Sequence, residues 1–206
     1  MKHLLFLTLA LIVLSTGIRA QNDVSMKADS ADSLPYYQIP DYPEAYTAEA
    51  VAARMIDGLG FRYYWATEGL RAEDLAFRPN DDARTTEETL DHILGLSTTI
   101  LNAVLQKPNE PQAEQAELTF EQKRKATLET LKMASDKLRS SPEGALEDYP
   151  IIFKRGESTR EFPFWNLING PIADAIWHCG QVVSFRRSSG NPFNSKVSVF
   201  SGKLVE

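Results

Sequence analysis

The chain has 206 residues, is 43% hydrophobic and carries a formal net charge of −6, which suits a single buried core with appendages. No basic cluster stands against the acidic balance, and this excludes a nucleic-acid backbone as a partner. The single cysteine, Cys179, cannot form an internal disulfide.

Lys2 is followed by an apolar run from Leu4 to Leu14, then by Ser15, Thr16, Gly17 and Ala20 ahead of Gln21. A charged start, a short apolar stretch and a small residue before the break are the layout of a secretory signal peptide. The run is about 11 residues, against the roughly 20 of a membrane span. The expectation is cleavage after Ala20, a periplasmic or secreted protein, and no transmembrane segment in the mature chain. A retained N-terminal anchor is the competing reading. Loss of Lys2 and Arg19 removes two positive charges and takes the net charge from −6 to −8. Residues 21–46 contain Pro35, Pro40 and Pro43 and no helical period. They read as a flexible arm along the surface, dispensable for folding.

Thr47 is a good N-cap for a first helix, with Glu49 in its first turn. Ala52, Met55, Ile56, Leu59, Tyr63, Ala66 and Leu70 recur at intervals of three and four. Gly58 and Gly60 weaken this helix by about 1 kcal/mol each relative to Ala, so a close neighbour is expected there. Thr85 and Glu88 have capping-box spacing at the start of a second helix. Between positions 92 and 106 no Asp, Glu, Lys or Arg occurs, which predicts burial on most sides. Lys107 and Pro108 end it. Thr119 and Gln122 repeat the capping box for a third helix, with Leu128, Leu131, Ala134 and Leu138 facing inward. A long connection follows, in which residues 151–153 and 159–162 pair as a short hairpin about Gly156. From Pro163, the positions Trp165, Ile168, Ile172, Ile176, Cys179 and Val183 keep a helical period across Pro171. That predicts a kinked fourth helix, or two short ones meeting at Pro171. Arg186 and Arg187 suit its last turn, and Gly190, Asn191 and Pro192 stop it. The fold class is all-α, a four-helix bundle over residues 47–192 with a C-terminal tail at 193–206.

Beyond the signal segment there are two histidines, His92 and His178, each inside a predicted helix. Asp174 precedes His178 by four residues and so shares its helical face, and Gln181 lies one turn further on. Two imidazoles and a carboxylate converging from two helices would hold a divalent metal and leave positions open for water or substrate. Spacing alone leaves plainer readings open: an i, i+4 ion pair for Asp174 and His178, and a hydrogen-bonded core histidine for His92. His92 points away from the Leu90–Ile93–Leu94 stripe, on a face with Gly95, Thr99 and Ala103, where a second helix could approach. Cys179 points elsewhere and reads as a buried, inert thiol. Trp65, Trp165 and Trp177 read as core or pocket walls.

Around Trp177-His178-Cys179-Gly180-Gln181 the chain resembles the DinB-like family of small four-helix bundles, many of them metal-dependent enzymes. His92-Ile93 matches the family's second-helix element, and Asp174 and His178 stand at its fourth-helix ligand positions, completed by Gly180-Gln181. Phe77-Arg78-Pro79 and the segment from Arg187 to Pro192 also look like the family, so the resemblance spans residues 47–192. It implies a divalent ion (Zn, Ni, Mn or Fe) held by His92, Asp174 and His178, with Gln181 behind them. Many relatives carry histidine where this chain has Asp174, a harder and charged donor. Export departs from the cytoplasmic thiol-transferase members, whose low-molecular-weight thiols are scarce outside the cytoplasm. The implied function is an exported metal-dependent hydrolase or thiol-dependent transferase acting on a small molecule, with a homodimer allowed and no general base identified. The alternative is a non-catalytic exported bundle that binds a small apolar ligand or an envelope protein.

Overall fold

A computed structural model describes residues 33–111 and 118–206. The expected signal peptide and the first part of the expected arm lie outside these residues. The chain is mainly helical, as expected, but it also carries small sheets.

Four long helices carry the core: α1 (Ala48–Thr67), α3 (Thr86–Val104), α4 (Phe120–Arg139) and α6 (Ala173–Ser188), with the short α2 (Ala72–Ala76) and α5 (Phe164–Leu167) between them. Their starts are chemically fixed. Thr47 accepts from the Ala50 amide, and both capping boxes form, Thr85 with Glu88 and Thr119 with Gln122. α1 packs on α4 and α6, and α3 packs on the same two. Ile56, Leu59, Leu90, Ile93, Leu128, Leu131 and Val182 are fully buried between them. No helix of the described residues is long and apolar enough to cross a membrane.

The expected break at Pro171 occurs as a π-helical turn, Ile168–Ile172, between α5 and α6. Gly170 leaves helical geometry there (φ −94°, ψ −106°), since proline at 171 has no amide hydrogen and crowds the preceding turn. Arg186 stands in the last turn of α6, as expected. It is buried and donates from Nη1 to the carbonyl oxygens of Trp65 (3.2 Å), Ala66 (3.0 Å) and Glu68 (3.0 Å). It thereby satisfies the open end of α1.

The long connection forms the expected hairpin, β2 (Ile151–Arg155) antiparallel to β3 (Ser158–Phe162). Its other edge, unforeseen, takes a parallel partner, β1 (Pro108–Asn109). The C-terminal tail folds as a second hairpin, β4 (Val197–Ser198) with β5 (Lys203–Leu204).

Residues 34–46 are not a loose arm. Leu34 onward belongs to the same compact unit as the helices, and Tyr36 is only 4% exposed. Its hydroxyl donates to Asp57 Oδ1 (3.2 Å), a buried carboxylate that also accepts from Ser135 Oγ (2.6 Å) and from the Arg139 guanidinium. Trp65 Nε1 donates to the Tyr37 carbonyl (3.1 Å), Arg54 donates to that of Pro40 (2.7 Å), and the Ile39 amide donates to Gly202 (2.8 Å). The neighbour that Gly60 makes room for is therefore Tyr36, not another helix. A Cβ at position 60 would lie 2.4 Å from its ring.

Candidate metal centre

α3 presents His92, and the first turns of α6 present Asp174, His178 and Gln181. His92 and Asp174, 82 positions apart, are brought together by packing of α3 on α6. Asp174 is central. Its Oδ2 lies 3.2 Å from His92 Nε2 and its Oδ1 lies 3.3 Å from His178 Nε2. The two imidazoles meet edge to face, centroids 4.8 Å apart at 87°. One donor atom from each of the three residues can be chosen so that all lie within 4.8 Å of one another.

Gln181 lies beside the cluster. Its Oε1 is 2.7 Å from His178 Nδ1. With the carboxamide oxygen turned to the ring, this contact places the proton on Nδ1. His178 Nε2 then turns a lone pair toward Asp174 Oδ1. Two acceptors at 3.3 Å repel unless a cation, either a proton or a metal ion, lies between them.

The donor set fits a divalent metal. Ligand atoms about 2.0–2.2 Å from one tetrahedral ion lie roughly 3.3–3.6 Å apart, and both Asp174 contacts are close to that. The widest separation allowed here, 4.8 Å, slightly exceeds the expected spread of about 3–4.5 Å, so an ion would draw the set together. Side-chain exposure is 33% for His92 and 34% for Asp174 but 11% for His178. The cluster therefore reaches solvent with one ligand anchored below.

Two expectations about the surroundings fail. α3 is not covered all round: α4 and α6 bury Ile93, Ser97, Ile100 and Ala103, but Gly95 is exposed and a Cβ there would meet nothing within 4 Å, so the helix that meets His92 does not cover Gly95. Trp165 and Trp177 are 76% and 69% exposed and are not core walls. Only Trp65 is buried. The indole of Trp177 lies nearly parallel to the His178 ring (13°, centroids 6.1 Å) without closing the site. Helical periodicity ran through both exposed tryptophans, and it does not distinguish the two sides of a helix that is only half covered. Cys179 does turn into the core, and burial pushes its thiol up to about 12.

No protein-family model matches the chain, and neither does any curated protein or solved structure with which it was compared.

Proposed function

We propose that this is an exported, metal-dependent enzyme built as a DinB-like four-helix bundle, with His92, Asp174 and His178 as the metal ligands. The export rests on the charged start and short apolar run before Gln21. The bundle rests on the ring of contacts among α1, α3, α4 and α6.

The observation that carries the metal reading is the Gln181–His178 contact at 2.7 Å. An outer partner that fixes a histidine tautomer and aims the other ring nitrogen at a carboxylate is the usual companion of a metal-ligating imidazole. When bound, a divalent ion supplies Lewis acidity, lowering the pKa of a coordinated water or thiol toward neutrality. The chain's own residues do the rest. Asp174 and the two imidazoles would hold the ion, Gln181 holds the proton on His178 Nδ1, and the one-third exposure of His92 and Asp174 leaves an approach for a small-molecule substrate. Hydrolysis and thiol-dependent transfer both follow from this chemistry.

The test is metal analysis of the mature protein purified without a histidine tag, alongside the His178→Ala variant. About one equivalent of Zn, Ni, Mn or Fe is expected in the native chain and none in the variant. The variant should lose thermal stability only relative to metal-loaded protein. Equal destabilisation with and without metal would make His178 an ordinary core residue and leave a non-catalytic helical bundle.

A further inference from the structure

Alternation along β2 and β3 places Phe153 and Arg155 on the same face as Ser158, Arg160 and Phe162, since Phe153 pairs with Arg160 and Arg155 with Ser158. These five residues line a surface cavity. The two phenylalanine rings form an edge-to-face wall (6.1 Å, 74°). Among the described residues neither arginine meets a carboxylate. Arg160 has no side-chain partner there at all. Arg155 spends one nitrogen on the carbonyls of Asn109 (3.4 Å) and Lys154 (3.1 Å). Glu110 pairs with Lys154 (2.9 Å) and Asp91 with Lys123 (2.8 Å), while Glu161 pairs across the hairpin with Ile152 and so stands on its opposite face. Among the described residues, two guanidinium groups without a carboxylate partner thus stand beside two aromatic rings, on a hairpin whose outer strand is exposed throughout.

A second cavity shares Phe153 and Arg155 and runs along α3 past Asn102 and Thr99 to Gly95. This is the uncharged stretch of α3. Packing accounts for the absence of charge at Ile93, Ser97, Ile100 and Ala103, and its absence on the open side, at Gly95, Thr98, Thr99 and Asn102, is explained if that side floors a groove. Gly95 follows His92 by three residues, one helical turn.

We propose that the β2–β3 face seats the anionic end of an amphipathic small molecule, a carboxylate, sulfonate or phosphate on an aromatic or apolar body. Arg155 and Arg160 take the anion, where guanidinium geometry favours forked hydrogen bonds. Phe153 and Phe162 take the body, and the cavity along α3 takes the remaining length. The seat stands without any metal. Only a link to catalysis would rest on the metal reading, and His92 does not itself line the second cavity, which reaches Gly95 one turn away.

The experiment is a fluorescence titration of the full mature chain, in chelator and without metal, with anilinonaphthalene sulfonate, a probe that combines an aromatic body with an anion. One saturable site is expected, weakening as sodium chloride is raised and weakening about tenfold or more in Arg155→Gln/Arg160→Gln. Lys196→Gln/Lys203→Gln, which removes the same charge from the C-terminal hairpin, should bind like the native chain. Neutral aminoanthracene should bind more weakly than the sulfonate. Non-saturating binding, salt-insensitive binding, or equal affinity in the arginine variant overturns the proposal. Should circular dichroism show that variant unfolded, the salt series and the neutral probe decide on the native chain. Because metal is absent throughout, failure here leaves the His92–Asp174–His178 reading untouched, and failure of that reading leaves the seat.

Discussion

The ring of Tyr36 occupies the space that any side chain at Gly60 would need, with a Cβ there only 2.4 Å from the ring. Tyr36 itself holds a left-handed backbone (φ 73°), uncommon for a residue with a side chain. The strain is offset by burial of the ring and by its hydrogen bond to Asp57. Helix propensity alone would make Gly60→Ala stabilising by about 1 kcal/mol. The contact with Tyr36 reverses the sign, because the ring cannot retreat without leaving the core. A net loss of about 1–3 kcal/mol is expected in urea denaturation. Tyr36→Ala should cost about 3–5 kcal/mol, and in its background Gly60→Ala should become neutral or favourable. A stabilising Gly60→Ala in the native chain would mean that residues 34–46 are not seated as described.

Asp74 is a fully buried carboxylate that joins α2 to the end of α6. Arg71 grips it with two nitrogens (Nε to Oδ2 3.0 Å, Nη2 to Oδ1 2.9 Å), and Ser189 Oγ (2.5 Å) and Asn191 Nδ2 (2.6 Å) also donate to it. The Arg71 hydrogen bonds, helped by Ser189 and Asn191, hold its acidity well below the usual carboxylate range, against an ordinary value of 3.8. A depressed folded value means that the stabilisation is fully present above the unfolded value and drains away as pH falls toward the folded one. Asp74→Asn should therefore cost about 2–4 kcal/mol at neutral pH. The gap from the native chain should close progressively below about pH 4. A gap independent of pH would show that the charge at Asp74 contributes nothing.

Cys179 is 2% exposed, and burial raises its thiol to about 12. At pH 8 almost none of it is thiolate, the reactive form. Ellman's reagent should leave the folded chain unmodified and titrate one thiol after denaturation. Prompt reaction in the native state would place the thiol at the surface and reopen a chemical role for it.

What the sequence revealed divides by range. The capping boxes at Thr85 and Thr119 and the break at Pro171 were legible because each is decided within one or two helical turns. The shared face of Asp174 and His178 was legible for the same reason. His92 was grouped with them as one of two histidines on helices, but spacing left that link open, because it says nothing about which helices pack. Tyr36 was missed because its burial depends on a slot at Gly60, 24 residues away, and proline-rich composition looks the same whether the segment is seated or loose. β1 was missed because two residues carry no period and acquire their pairing only from β2. The uncharged run on α3 is buried as expected at Ile93, Ser97, Ile100 and Ala103 but open at Gly95. Absence of charge is common to a helix face buried by protein and to one that borders a groove.

Gln181 tests the metal reading more sharply than the ligands do, because its removal leaves all three in place. Its oxygen fixes the proton of His178 on Nδ1 across 2.7 Å, which leaves the Nε2 lone pair free to ligate a metal beside Asp174. In Gln181→Leu the ring loses that partner, its tautomer is no longer set, and part of the intrinsic affinity is spent on orienting it. Metal affinity, measured by competition with a chromogenic chelator, should fall about 10–100-fold. The melting temperature of metal-free protein should change little, because Gln181 is only half-buried. Gln181→Glu keeps an acceptor in reach of Nδ1 and should bind within a few-fold of the native chain, or more tightly, since a carboxylate makes the imidazole a better donor. A purely structural hydrogen bond predicts the opposite pattern, with both variants changing stability alike and neither changing metal affinity. If Gln181→Leu binds metal as the native chain does, the contact is incidental and the tautomer argument for the metal centre fails, even should His92, Asp174 and His178 still hold an ion.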